Sequence, residues 1–184
     1  MTSWRRLVAR SGFQEQHLGK LYLLRHAKAG WALPGVRDFD RPLDATGIAD
    51  AEATGTAMRA NGYVPELTLC SNARRARETL EGLAGHADTG RVVFTDDLYS
   101  ADAAGYFDKI RENGRHGSIL VIGHNPMMED LAMAVSGDGD QAALHTLQTG
   151  FPTSGLAVIR FEGELSGAEL GNGYLEAFLT PADL

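Results

Sequence analysis

From Leu21 onward the chain alternates short apolar runs with stretches in which apolar residues recur every three or four positions. Leu21–Leu24, Leu67–Cys70, Arg91–Phe94, Ile119–Ile122 and Leu156–Phe161 have the length and residue types of strands. Gly173–Leu179 is a further candidate, with imperfect alternation and a stop at Pro181. Between the first two runs, Ile48, Ala51, Gly55 and Met58 share one helical face, with Asp50, Glu52 and Arg59 elsewhere around the axis and Asp44 placed as the cap. A second helix is expected after Ser71 and Asn72, with Ala76, Leu80 and Leu83 inward, and a third with Ala104, Phe107 and Ile110 inward. Asn125 can cap a fourth, whose first position Pro126 can fill because no N–H is needed there. Short buried runs separated by amphipathic helices predict α/β layering with parallel strands. No period of 20 to 50 residues suggests a repeat architecture.

Two stretches fit neither period. Ala27 to Asp44 contains Gly30, Pro34, Gly35 and Pro42 and reads as a loop over the top of the sheet, long enough to suggest a functional role. Gly137 to Asp140 reads Gly-Asp-Gly-Asp, but it lacks the spacing and terminal glutamate of a calcium loop and is expected to be a polar turn.

A length of 184 residues with 43% hydrophobic content suits one core, so residues 20–184 are expected to form a single domain. Residues 1–19 then form an N-terminal extension. Residues 1–20 hold four basic side chains against Glu15, but no apolar core of a secretory signal, so a loosely attached extension is the simpler reading. One cysteine excludes an internal disulfide framework, and no apolar run is long enough to span a bilayer; the cytoplasm is the expected setting and no membrane partner is expected. A net charge of −7 disfavours nonspecific nucleic-acid binding, so any phosphate chemistry requires a local positive pocket.

The chemically unusual residues select one edge of the expected sheet. Arg25 and His26 follow the first strand, Arg75 lies just past the second, and His124 follows the Ile119–Ile122 run. The carboxyl edge of an open α/β sheet is where ligands bind. A histidine after a strand is ordinarily structural, but Arg25 beside His26 can fork onto phosphate oxygens and disfavours protonation of the ring, which a nucleophile requires. Arg74 and Arg77 lie four residues before Glu78 and Glu81, the spacing of solvated helix pairs, whereas Arg75 in the first helical turn can reach the sheet edge. Gly123 allows a sharp turn that lets His124 face the same mouth and hold equatorial phosphoryl oxygens.

Together, Leu23-Leu24-Arg25-His26-Ala27-Lys28, Arg41-Pro42-Leu43 followed by Gly47, Ser71 through Arg75-Ala76 to Thr79, and Gly123-His124-Asn125-Pro126 resemble the histidine phosphatase superfamily. Their order and spacing are most similar to its short branch, the SixA type of phosphohistidine phosphatase. The resemblance covers about Leu21 to Phe161. It implies a three-layer α/β/α sandwich of the phosphoglycerate mutase-like kind, with a mixed, mostly parallel central sheet. It also implies a cofactor-independent phosphatase with His26 as nucleophile, Arg25, Arg75 and His124 as the phosphate pocket, and Arg41 as an added substrate contact. A phosphorylated substrate, which can be a phosphohistidine-bearing protein, is the implied partner, and no metal is implied.

Two departures from the family pattern shape the expectation. Ala27 stands where the family's Arg-His-Gly motif has glycine, and a residue this small is expected to be tolerated. Thr95-Asp96-Asp97-Leu98-Tyr99 lacks the glutamate that many phosphoester-cleaving members use as general acid, leaving Asp97 as the candidate acid or, alternatively, a helix cap. An alkoxide leaves badly without a proton, whereas a protonated imidazole leaves readily, so a weak acid favours P–N over P–O cleavage. The lack of large insertions is expected to leave the mouth open to a protein substrate.

Rival patterns fail on spacing. A Cys-x5-Arg loop from Cys70 would end at position 76, which is alanine, so Cys70 reads as a buried strand residue. Asp38-Phe39-Asp40 resembles a paired-aspartate phosphatase motif, but no apolar strand precedes it and it reads as loop. Walker, dinucleotide and zinc-ligand patterns are missing. The alternatives to a phosphohistidine phosphatase are a phosphatase for small phosphoesters or phosphoanhydrides and a noncatalytic phosphate-binding module.

Overall fold

Alternate side chains along the central strands enter two different cores. Leu21, Leu23, Leu67, Leu69, Ile119, Val121, Ala157 and Ile159 belong to one cluster, and Tyr22, Leu24, Cys70, Leu120, Ile122, Leu156 and Val158 to the other. A sheet buried on both faces needs helices on both sides, which is why its strands read as nearly continuous apolar runs.

The computed structural model describes residues 18–32 and 34–184. In chain order its elements are β1 (Leu18–Arg25), α1 (Ala45–Ala60), β2 (Leu67–Ser71), α2 (Arg74–Ala84), β3 (Arg91–Thr95), α3 (Asp97–Ser100) and α4 (Ala103–Glu112). There follow β4 (Ser118–Gly123), α5 (Met127–Val135), β5 (Ser136–Gly139), α6 (Gln141–Gln148), β6 (Leu156–Glu162) and β7 (Gly173–Leu179). Seven strands form one sheet in the order β3-β2-β4-β1-β6-β7-β5. Helices α1 and α2 cover one face with Ala51, Met58, Ala76, Leu80 and Leu83, while α4, α5 and α6 cover the other with Tyr106, Phe107, Ile110, Leu131, Val135 and Leu147.

The sheet is mixed. β1, β4, β2 and β3 run parallel, β6 is antiparallel to β1 and β7, and β5 is parallel to β7. Reversal of β6 has a direct consequence for the site: Leu156, its first residue, pairs with Leu24 near the carboxyl end of β1. Residues 151–155 therefore lie at the same edge as Arg25, Ser71 and Gly123.

Several local expectations change. Gly137–Gly139 belongs to the short edge strand β5 instead of a polar turn, and Asp140 accepts a hydrogen bond from the Ala143 N–H to cap α6, a helix not expected. Ile48 and Ala104 are exposed, and the inward face of α4 is carried by Tyr106, Phe107 and Ile110. α5 begins at Met127 with Pro126 at the cap position, and the Asn125 amide does not cap because it donates to Glu129 and to the Phe151 carbonyl. The extension expected over residues 1–19 lies outside the described residues except for Leu18 and Gly19, which open β1. Among the described residues no helix is long and apolar enough to cross a membrane.

Candidate active site

The carboxyl ends of β1, β2 and β4 converge on one guanidinium. Arg75, the second residue of α2, donates from Nε to His26 Nε2 at 3.1 Å and from Nη2 to His124 Nδ1 at 3.3 Å. Arginine has no acceptor, so both contacted ring nitrogens present lone pairs. The tautomers follow. His26 donates from Nδ1–H to its neighbour's carbonyl, Ala27 O, at 2.7 Å, and His124 donates from Nε2–H to Ser71 Oγ at 2.8 Å.

The convergence is built by backbone placement. The His26 N–H extends the β1–β4 pairing by donating to Gly123 O at 3.0 Å, and the Ala27 N–H donates to Thr79 Oγ1 at 2.9 Å. Thr79 Oγ1 in turn donates to Arg75 O at 2.7 Å, tying the nucleophile's turn to the helix that carries Arg75. Ala27 is fully buried in the core under α1 and α2, so its methyl group is accommodated there. Gly123 serves close packing more than turning: a Cβ there would lie 2.7 Å from Tyr106 and Met128 side-chain atoms.

The three central residues are nearly enclosed, with His26, Arg75 and His124 exposed by only 9%, 7% and 5%. Burial lowers the pKa of His26 to about 4, with Arg75, Arg25 and Arg41 adding to the effect and the Ala27 carbonyl opposing it. Burial thus outweighs the neighbouring Arg25 in keeping the ring neutral. Burial also lowers His124 to about 3, assisted by His26 and Arg75. The two rings lie with centroids 5.0 Å apart.

Arg25 and Arg41 flank this centre without touching His26. Arg25 Nη1 donates to Phe151 O at 2.8 Å, while its buried Nε meets no hydrogen-bond partner among the described residues. Arg41 donates from Nε and Nη2 to Gly30 O and from Nη1 to Asp38 Oδ1 at 2.9 Å. Arg74 pairs with Glu78, whose other oxygen accepts from the Leu43 N–H, and Arg77 lies over the Phe94 ring instead of pairing with Glu81.

Asp97 lies away from this network. Its carboxylate is exposed and pairs with Lys109 at 3.0 Å, a contact that lowers its pKa. It opens α3 without capping it. A carboxyl held ionised on the outside of the molecule is poorly placed to deliver a proton to a group bound at His26.

Two residues that sequence reasoning passed over do enter the site. Asp38 accepts from Arg75 Nη1 through its backbone oxygen at 2.7 Å, and its Oδ2 accepts from Arg75 Nη2 and from Tyr99 OH, each at 3.1 Å. Tyr99 also sets its ring edge-on to His124 at 5.6 Å and to Phe39 at 4.9 Å. Asp38 and Tyr99 thus stand beside Arg75, with the Asp38 side chain half exposed. The available signal for Asp38 was its position three residues before Arg41, within the loop already singled out by length.

Two neutral imidazoles thus meet a buried guanidinium at one sheet edge, an arrangement suited to an anion. Residues 21–104 match the description of the histidine phosphatase superfamily, branch 1. An uncharacterised protein of Mycobacterium tuberculosis is 36% identical over 165 residues, covering 86% of this chain and 99% of that protein. Among solved structures, a chain assigned as phosphohistidine phosphatase SixA from Agrobacterium tumefaciens is 38% identical, with a TM-score of 0.77, covering 89% of this chain and 98% of that one. A SixA-assigned chain from Nakamurella is 28% identical with a TM-score of 0.76, covering 89% and 96%. This chain belongs to the histidine phosphatase superfamily and is similar to its SixA branch; by enzymatic class it is a phosphatase.

Proposed function

We propose that the chain is a phosphohistidine phosphatase in which His26 carries the phosphoryl group between substrate and water. The observation that carries this reading is a neutral ring whose Nδ1–H is fixed by Ala27 O while its Nε2 lone pair meets the Arg75 guanidinium. A phosphoryl oxygen that takes over the Arg75 Nε–H bond uncovers that lone pair beside the phosphorus. Nε2 then forms the N–P bond as the bond to the leaving group breaks, and the Ala27 carbonyl stabilises the positive ring that results. Arg75, Arg25 and Arg41 hold the charge on the equatorial oxygens, and His124, whose Nδ1 presents a lone pair in the free protein, joins them once an arriving dianion favours a proton on that nitrogen. Water next attacks phosphorus, the N–P electron pair returns to His26, and inorganic phosphate leaves.

Likeness to SixA-assigned chains supports phosphohistidine as the substrate. A protein-borne substrate is supported by Trp31, which is 93% exposed on the loop beside Gly30, the anchor of Arg41. The single buried cysteine suits a cytoplasmic setting.

The test compares wild type with His26→Ala on a chromogenic aryl phosphate. Wild type is expected to release phosphate and the variant to lose at least ~10³-fold; equal release by both proteins sinks the nucleophile assignment. Matched assays are expected to show faster cleavage of phosphohistidine than of an unactivated alkyl phosphate, and the reverse order supports the small-phosphoester alternative. Arg75, Arg25 and Arg41 supply the positive charge that a divalent ion gives elsewhere, so activity is expected to survive chelation. Loss on chelation with recovery on adding a divalent ion contradicts this.

A further inference from the structure

We propose that Asp38 is the proton carrier of this site, protonating the leaving group and then taking a proton from the attacking water. The inference rests on His26 being the nucleophile, as proposed above. It begins with the two sides of Arg75. His26, 9% exposed, meets the guanidinium from the buried side, whereas the Asp38 side chain, 52% exposed, meets it from the mouth. In-line transfer requires the leaving atom to depart opposite the attacking nitrogen. With Nε2 below, that atom faces the mouth, where Asp38 lies.

Other carboxylates around the edge are engaged elsewhere. Asp97 pairs with Lys109, Asp40 with Arg37, Glu78 with Arg74, and Glu129 accepts from Asn125. Among the described residues, Asp38 is the carboxylate that forms an ion pair with Arg75. Groups facing it are Arg75 from α2, Arg41 from its own loop and Tyr99 from α3.

In the free protein these contacts hold Asp38 as a carboxylate, with the Arg41 bond the largest influence. An incoming phosphoryl dianion takes over Arg75 and places negative charge beside Asp38, which favours uptake of one proton from solvent. When His26 Nε2 bonds to phosphorus, the leaving atom keeps the electron pair of its broken bond and receives that proton. Asp38, again ionised, accepts a proton from water as its oxygen attacks the phosphohistidine. The N–P pair returns to Nε2, so no further reactant is required.

The experiment uses the full chain and a series of aryl phosphates from 2,4-dinitrophenyl phosphate to phenyl phosphate, comparing wild type with Asp38→Asn. The variant is expected to lose less than ~5-fold in kcat/KM on the dinitrophenyl ester, whose phenolate needs no proton, and at least ~10²-fold on the phenyl ester. Stoichiometric phosphorylation of His26 by the dinitrophenyl ester in the variant shows that fold and pocket are intact. An equal loss across the series overturns the proposal and makes Asp38 a positioning residue for Arg75. A gain across the series overturns it too, and makes Asp38 a plug that competes with substrate. Failure of the underlying nucleophile reading is distinguishable, since wild type then forms no phosphorylated His26 with any ester.

Discussion

Replacing His26 by glutamine removes a titrating ring from a site where it is almost fully enclosed, and the consequence for stability is calculable. An unfolded imidazole takes up a proton near pH 6.5, whereas the folded His26 does so at about 4, chiefly because burial penalises the charged ring. The unfolded chain therefore binds more protons between these values, and acid favours unfolding. The stabilisation is fully present above pH 6.5 and is lost as the pH falls through 4. From the size of this shift, His26 alone accounts for a loss of about 2 kcal/mol at pH 5 and about 3 kcal/mol at pH 4, a large share of the total for a domain of this size. Urea unfolding of wild type and His26→Gln at half-unit steps from pH 7.5 to 4.0 measures it. The wild-type free energy is expected to fall more steeply with acid, and the two curves to converge. Parallel curves across this range refute the claim that His26 is buried in its neutral form. The same depression keeps Nε2 unprotonated well below pH 6.5, so His26 contributes no acid limb to kcat/KM until the pH approaches 4.

Other substitutions test separate parts of the architecture. Ser71→Ala removes the acceptor of the His124 Nε2–H, a buried bond of 2.8 Å, and is expected to cost about 1–3 kcal/mol in unfolding free energy along with part of kcat; unchanged stability in urea unfolding contradicts a stabilising role for that bond. Gly47→Ala places a methyl group 2.1 Å from the Lys28 carbonyl oxygen, so a thermal melt is expected to show destabilisation of about 1–3 kcal/mol, and an unshifted Tm argues against that close approach. Asp97→Asn alters an exposed ion pair with Lys109 and is expected to change stability by less than about 0.5 kcal/mol and turnover by less than about twofold. A loss of turnover comparable to that of His26→Ala restores Asp97 as the acid.

Much of the fold was legible because strand burial is written locally. Leu21–Leu24, Leu67–Cys70 and Ile119–Ile122 are buried on both faces, and only a sheet covered on both sides accepts such runs. The edge positions of Arg25, His26, Arg75 and His124 follow from where those runs stop. Strand direction was not legible, since Leu156–Phe161 presents the same alternation whether it runs with or against β1. Nor was the exposure of Ile48 and Ala104, because a three-residue period admits more than one helical face and the sheet selects among them.

Asp38 escaped for a different reason. Its partners Arg75 and Tyr99 stand 37 and 61 residues away, and nothing near it in the chain shows that a carboxylate will meet them. A local reading of Asp-Phe-Asp finds a turn, and a 3-10 turn over Asp38–Asp40 is what forms. The charge balance of the site is the stronger clue. Beyond burial, which is the larger cause, Arg75, Arg25 and Arg41 all lower the His26 pKa, so one buried ring feels three cations. Like charges brought this close destabilise the ligand-free fold unless an anion accompanies them. Asp38 meets that need by bonding to Arg41 and Arg75 together. A phosphoryl group that takes over Arg75 then brings its negative charge beside Asp38 as it uncovers the His26 Nε2 lone pair, which links exposure of the nucleophile to the arrival of the anion it attacks.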